Sequence, residues 1–132
     1  MAIVRLAPDA DIPTWLGTSL PLVSITRTAE ELSIICPSAS VPSGVECDAG
    51  WMAFRVEGKL EFSAIGVLAS ILNPLAEAGI SILSISTFDT DYVLVRAAVI
   101  GEAKTALGRK FDWIDDDEAH LLLSDPDGTP AR

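Results

Sequence analysis

The chain has one histidine and two cysteines in 132 residues. A zinc site needs four ligands at paired spacing, and Cys36, Cys47 and His120 supply neither the spacing nor a fourth group. The lone histidine leaves no positioned base for a serine or cysteine nucleophile. No Gly-x-Ser-x-Gly elbow and no glycine-rich phosphate loop occurs. The chain therefore reads as not an enzyme, with no cofactor and no metal. Both cysteines read as small buried side chains. Nothing here requires a disulfide, and the expected compartment is the cytoplasm.

Positive charge is also scarce. Lys and Arg number 9 against 19 Asp and Glu, for a formal charge of −10. Such a surface repels the phosphate backbone and anionic lipids, so neither nucleic acid nor membrane is an expected partner. Apolar runs stop well short of the roughly 18 residues of a membrane helix. The opening Met1–Leu6 lacks the basic start and long apolar run of a signal peptide. The acidic run Asp112, Asp115, Asp116, Asp117 and Glu118 lacks the alternating ligands and glycine of a calcium loop, and reads as a solvated face.

What is present is a folding chain. Apolar residues make up 49%, enough for one compact domain or two very small ones sharing a core. From Gly50 to Gly58 the sequence alternates as a strand, with Trp51, Ala53 and Arg55 on one side and Met52, Phe54 and Val56 on the other. Ser63 is a candidate N-cap for a helix over 64–78, whose Ile65, Leu68, Ile71, Leu72 and Leu75 follow helical spacing. Pro74 predicts a bend near its end, and Gly79 a left-handed cap. Residues 80–88 alternate as a strand, Asp89-Thr90 fits a short turn, and 92–100 reads as the return strand. A helix over 101–108 buries Ala103, Ala106 and Leu107, and 120–124 can form a final strand. The order from Trp51 is β-α-β-β-α-β, an α+β arrangement with helices on one face of an antiparallel sheet.

The first half reads as a rougher copy. Its segment Ser24–Ile35 echoes Ser84–Val95 without a gap, at an offset of 60 residues from Ser24 to Ser84. That offset sets Arg27 and Thr28 against Thr87 and Phe88. Residues 2–6 read as a strand, and 11–16 as a short helical turn capped by Asp11. Residues 20–27 and 32–36 form a hairpin around Ala29-Glu30, and 37–48 is loop-like with one helical turn. The expected units are 1–50 (degenerate) and 51–125, with a flexible tail at 126–132. Arg27 is expected to pair with Glu30 or Glu31, or to reach a ligand held by a neighbouring unit.

The acidic turn of the second copy has two readings. In one it is a solvated turn, because Asp and Thr hydrogen-bond locally there. In the other it is half of a ligand clamp. Backbone amides at the helix start, around Ala64 to Leu68, form an anion site that Gly66 leaves open to a carboxylate. Asp89 and Asp91 then accept hydrogen bonds from an ammonium group. Together these are the requirements of a free amino acid.

The block Gly66-Val67-Leu68-Ala69-Ser70-Ile71-Leu72-Asn73-Pro74-Leu75-Ala76-Glu77-Ala78-Gly79-Ile80-Ser81, followed in register by Ser86-Thr87-Phe88-Asp89-Thr90-Asp91-Tyr92-Val93-Leu94-Val95, resembles the ACT domain. It is most similar to the paired-ACT subgroup, which includes small bacterial proteins and the animal cytosolic arginine sensors. The close match runs from about Trp51 to Leu107. The resemblance implies two ferredoxin-like βαββαβ units, the N-terminal one degenerate, that bind an amino acid at an ACT–ACT interface. It implies Gly66 and Leu68 at the helix start and Thr87, Phe88 and Asp91 on the hairpin as ligand-binding residues, to which the clamp reading adds the Val67 amide and Asp89. A homodimer and a regulated protein partner follow from the same resemblance. The arginine sensors carry an acidic residue two positions before that glycine. Here the position is Ala64, which points to a smaller or apolar amino acid as much as to arginine. The competing reading is a structural or dimerisation module whose ligand site has lapsed.

Overall fold

In the computed structural model, residues 1–56, 64–108 and 112–114 are described. They fall into two units, one containing Met1–Gly50 and the other spanning Trp51–Ile114. The first unit is an antiparallel sheet of β1 (Ala2–Leu6), β2 (Ser24–Arg27), β3 (Leu32–Cys36) and β4 (Cys47–Ala49), in the spatial order β2-β3-β1-β4. Alternation in β3 turns Leu32, Ile34 and Cys36 inward, where they meet Val4 in a fully buried cluster. Trp15, Leu16, Val23, Val41 and Val45 from the connections pack on that cluster.

Several local expectations give way in this unit. The short helical turn expected over 11–16 is reduced to one turn at 13–16, in which the Leu16 N–H donates to the Pro13 carbonyl at 3.2 Å, and Asp11 stands before it. A single turn bounded by a proline and Gly17 cannot repay the cost of helix nucleation. β2 begins at Ser24 and not at residue 20, since Pro21 has no N–H for the ladder. The stretch expected as loop with one helical turn has that turn, a 3₁₀ turn at Ser38–Ser40, but then forms the unexpected strand β4, which pairs with Ala2–Val4 at the sheet edge. Cys36 is buried as expected, but Cys47 on that edge strand is exposed.

The second unit has the same strand order. β5 (Trp51–Arg55), β6 (Ile82–Ser86), β7 (Asp91–Arg96) and β8 (Asp112–Ile114) stand as β6-β7-β5-β8, again antiparallel throughout. α1 (Ala64–Glu77) joins β5 to β6, and α2 (Ile100–Leu107) follows a 3₁₀ turn at Ala97–Val99 after β7. The chain is thus α+β, two four-stranded ferredoxin-like sheets of one topology. Helices are present in the second unit and replaced by turns in the described part of the first. The final strand expected at 120–124, Ser63 and the tail lie outside the described residues. The edge partner of β5 is β8, where Trp113 lies 4.7 Å from Phe54 between ring centroids.

Both helices cover one face of the second sheet. Ile71 and Leu75 of α1 and Ala103 of α2 are fully buried against Phe54, Val56, Val93 and Val95. Each large side chain of this kind contributes about 1.5–3 kcal/mol. The other sheet face is also buried, at Ala53 and Leu94. There Arg96 lies over the Trp51 ring, 4.0 Å from its centroid.

α1 passes through Pro74 and ends in a Schellman motif. Gly79 has φ +74°, its N–H donates to the Ala76 carbonyl at 2.9 Å, and Ile80 N–H donates to Leu75 at 3.0 Å. Ile80 and Leu75 meet in the core, closing the motif with its usual apolar contact.

The hairpin register corrects the repeat. In the first hairpin Thr28 N–H donates to the Glu31 carbonyl at 2.9 Å; in the second Thr87 N–H donates to Thr90 at 2.8 Å. The strands agree, with Ser24 opposite Ile35 and Leu83 opposite Leu94. The two turns are therefore superposed at an offset of 59, from Thr28 to Thr87, and not 60. The turn tip is Phe88-Asp89, one residue earlier than expected. Thr28, Ala29 and Leu32 correspond to Thr87, Phe88 and Asp91, and Arg27 corresponds to Ser86. Chemical likeness of Ile-rich strands tolerates a one-residue slip; turn hydrogen bonds do not.

Candidate ligand-binding site

The connectivity of the second unit gathers three features at one end of its sheet. β5 and β6 both run antiparallel to β7, so the end of β5 and the β6–β7 turn lie at the same end. α1 leads from the end of β5 to the start of β6, so its first turn is at that end too. Val56, just past β5, is gripped by the hairpin on both sides. Its N–H donates to the Asp91 carbonyl at 2.9 Å, and the Thr90 hydroxyl donates to its carbonyl at 2.5 Å.

Thr87 closes the turn with its side chain. Its hydroxyl donates to the Thr90 carbonyl at 3.0 Å and accepts from the Thr90 N–H at 3.2 Å. Thr28 does the same in the first unit, accepting from the N–H groups of Glu30 and Glu31 at 3.1 Å. Residue types that favour local side-chain-to-backbone bonds set the turn in both places. The Thr87 hydroxyl is thus engaged within the turn itself.

The tip itself is open. Phe88 is fully exposed, at 104% of the reference area, and Asp89 is exposed beside it. Asp91 is the opposite case, only 6% exposed at the first position of β7. One of its carboxylate oxygens accepts from the Ser86 hydroxyl at 2.5 Å, directly across the strand pair. A carboxylate taken out of water is costly unless it is bonded or matched by a cation.

In α1, Gly66 is exposed in the first turn. Leu68 is half-buried and packs on the core cluster. Val67 is placed in α1, and its side chain lies outside the described set. Of the residues expected at the site, Thr87, Phe88, Asp89 and Asp91 share one hairpin, and Gly66, Val67 and Leu68 share the first turns of α1. Two polar residues of this hairpin were not among them, Ser86 and Thr90. With the turn centred one residue too late, Ser86 does not face Asp91. The matched threonines Thr28 and Thr87 were the signal that fixes the register.

The first unit builds nothing similar at this place. Arg27 donates to the carbonyls of Pro8 and Ala10 at 2.5 and 2.8 Å, fastening the connection after β1. It pairs with neither Glu30 nor Glu31. The partner of Glu31 is Arg5, in an exposed ion pair worth at most about 1 kcal/mol. Among the described residues no group of three or more His, Cys, Asp or Glu could hold a metal ion. No described helix is long and apolar enough to cross a membrane.

Comparison with known proteins agrees with this architecture. The ACT domain family model matches residues 46–109, and a model of an N-terminal domain matches residues 1–44. The subunit 1 of the cytosolic arginine sensor for mTORC1 from Bos taurus is 41% identical over 65 residues, which is 48% of this chain and 20% of that one. The chain thus spans about a fifth of the length of that relative. A crystal structure of a protein from Agrobacterium tumefaciens is similar with a TM-score of 0.75 and 39% identity, over 81% of this chain and 79% of that one. A Vibrio cholerae protein of unknown function, described as a possible transport protein, shares the fold with a TM-score of 0.63 and 23% identity over 81% of each chain. ACT domains are typically amino-acid-binding regulatory units. The matched family, the shared strand order of the two sheets and the likeness over most of the Agrobacterium chain give one conclusion: this chain belongs to the ACT-domain proteins.

Proposed function

We propose that the chain binds one free amino acid at the hairpin end of its second unit and acts, without catalysis, as a small cytoplasmic sensor or regulatory subunit. The observation that carries this is the contrast between Asp91 and Leu32. The two stand at equivalent positions, directly across their hairpins from Ser86 and Arg27. Leu32 is fully buried and Asp91 only 6% exposed. A leucine suits the fold at that place, so the carboxylate is not there for the sake of packing. Its value is in what it binds.

In this reading the amides near Gly66 and Val67 hold the α-carboxylate, and Asp91, with Asp89, holds the α-ammonium. Thr87 fixes the turn that carries these groups. Leu68 and Phe88 supply apolar contact for the ligand side chain. Because Phe88 stands fully in solvent, the far wall comes from a second copy, and the ligand sits at an ACT–ACT interface of a homodimer. A ligand shifts an equilibrium only through different affinity for two states, so signalling to a regulated protein partner requires a change in that contact.

The relative from Bos taurus is an arginine sensor, which supports an amino acid as the ligand class. Ala64 two positions before Gly66 brings no charge to meet a guanidinium, so a smaller or apolar amino acid fits at least as well. A thermal-shift screen against each common L-amino acid tests the reading. One that binds raises stability by about 2.7 kcal/mol at a hundred times its dissociation constant. Asp91→Ala then abolishes that shift. No shift with any of them leaves the chain as an interaction module without a ligand.

A further inference from the structure

A buried carboxylate meant to receive a cation must be held still, with one oxygen fixed and the other free. Asp91 has one oxygen fixed in this way. It lies at the first position of β7, 6% exposed, and the Ser86 hydroxyl donates to its Oδ1 at 2.5 Å. No other hydrogen bond or ion pair to the Asp91 side chain occurs among the described residues. The backbone on either side is also pinned, since the Asp91 carbonyl accepts from Val56 and the Thr90 hydroxyl donates to Val56. A carboxylate has room for about four hydrogen bonds, so beyond the Ser86 hydroxyl there is room for a further donor.

The other unit again serves as a control. Where the second unit pairs serine with aspartate across the strands, the first pairs Arg27 with Leu32. Arg27 is turned to backbone carbonyls and Leu32 to the core. The serine and the aspartate are therefore present together or absent together between the two halves of the chain. Ser86 is itself exposed, so its hydroxyl could have been satisfied by water alone, and strand geometry does not demand it.

We propose that Ser86 is the positioning residue of the site: its hydroxyl occupies Oδ1 of Asp91 and leaves Oδ2 as the acceptor for the protonated amine of the ligand. The inference rests on the amino-acid reading given above. It assigns selectivity as well. A ligand with a free, protonated amine is admitted, and an N-acylated amino acid is not.

The probes are the common L-amino acids, each supplied singly, and their N-acetyl derivatives. For every amino acid that shifts the wild type, affinity is compared in Ser86→Ala, Ser86→Thr and Ser86→Val. The Thr and Val variants are nearly isosteric and differ in the hydroxyl, so they keep the test sound if Ser86→Ala folds poorly. Ser86→Thr is expected to bind within a few-fold of wild type, and Ser86→Val and Ser86→Ala to bind roughly tenfold more weakly or worse. The N-acetyl derivatives are expected not to bind. Equal affinity of the Thr and Val variants, with only melting temperature changed, makes Ser86 a structural residue and overturns the proposal. Binding of an N-acetyl derivative as tight as that of its parent overturns it too. Wild type that binds no amino acid overturns the reading of the site itself, a result distinct from binding that ignores Ser86.

Discussion

On the proposed reading, Asp91 concentrates a conflict between fold and function. A side chain that the fold prefers apolar has been made acidic, and natural sites commonly trade stability for activity in this way. Asp91→Leu copies the residue of the twin position. It is expected to raise stability by about 1 kcal/mol while removing amino-acid binding, as measured by chemical denaturation alongside calorimetry. A loss of stability together with binding would show that the carboxylate is structural. Thr90 predicts the reverse pattern. It is 7% exposed and its hydroxyl satisfies the Val56 carbonyl. Thr90→Val keeps the shape and leaves that carbonyl without its donor, at a cost of about 1–3 kcal/mol in urea unfolding. Phe88 sets no such balance, because nothing in its own unit touches it closely enough to bury it.

Among the elements, the hairpin and the end of α1 are the most tightly specified. The Schellman motif at Gly79 needs a left-handed residue at φ +74°, and a Cβ there would meet no neighbouring atom within 4 Å. Gly79→Ala thus tests backbone strain alone, and is expected to cost about 1 kcal/mol by thermal denaturation. These features were legible in the sequence: the apolar stripe of Leu68, Ile71, Leu72 and Leu75, the glycine after it, and two paired strands joined by a short turn. The elements that were not legible are short ones. β4 and β8 are three residues each, and a strand so brief carries too few alternations to be read. The short turn at residues 13–16 was anticipated from its proline, but two residues too long at its start. The turn register failed for a different reason. Strands rich in isoleucine, serine and valine look alike under a one-residue slip, and the hydroxyl bonds of Thr28 and Thr87 that decide it are three-dimensional. That slip is why Asp91 was found in the sequence and Ser86 was not.

For the whole molecule, one chain carries two sheets of identical strand order but, among the described residues, one buried carboxylate, Asp91. Titration calorimetry should accordingly give one ligand per chain, and a value of two would mean that the first unit binds as well. Light scattering at high concentration is expected to give the mass of a dimer, since the exposed Phe88 and the ligand both need a second wall. The surface of net charge −10 keeps such an assembly in solution and steers it away from polyanions. The most direct test of the central claim is titration calorimetry of wild-type chain and Asp91→Leu with whichever common L-amino acid stabilises the wild type. Saturable binding at one site per chain by the wild type, and none by a variant that is folded and at least as stable, is the predicted result. Binding by Asp91→Leu with unchanged affinity would contradict it.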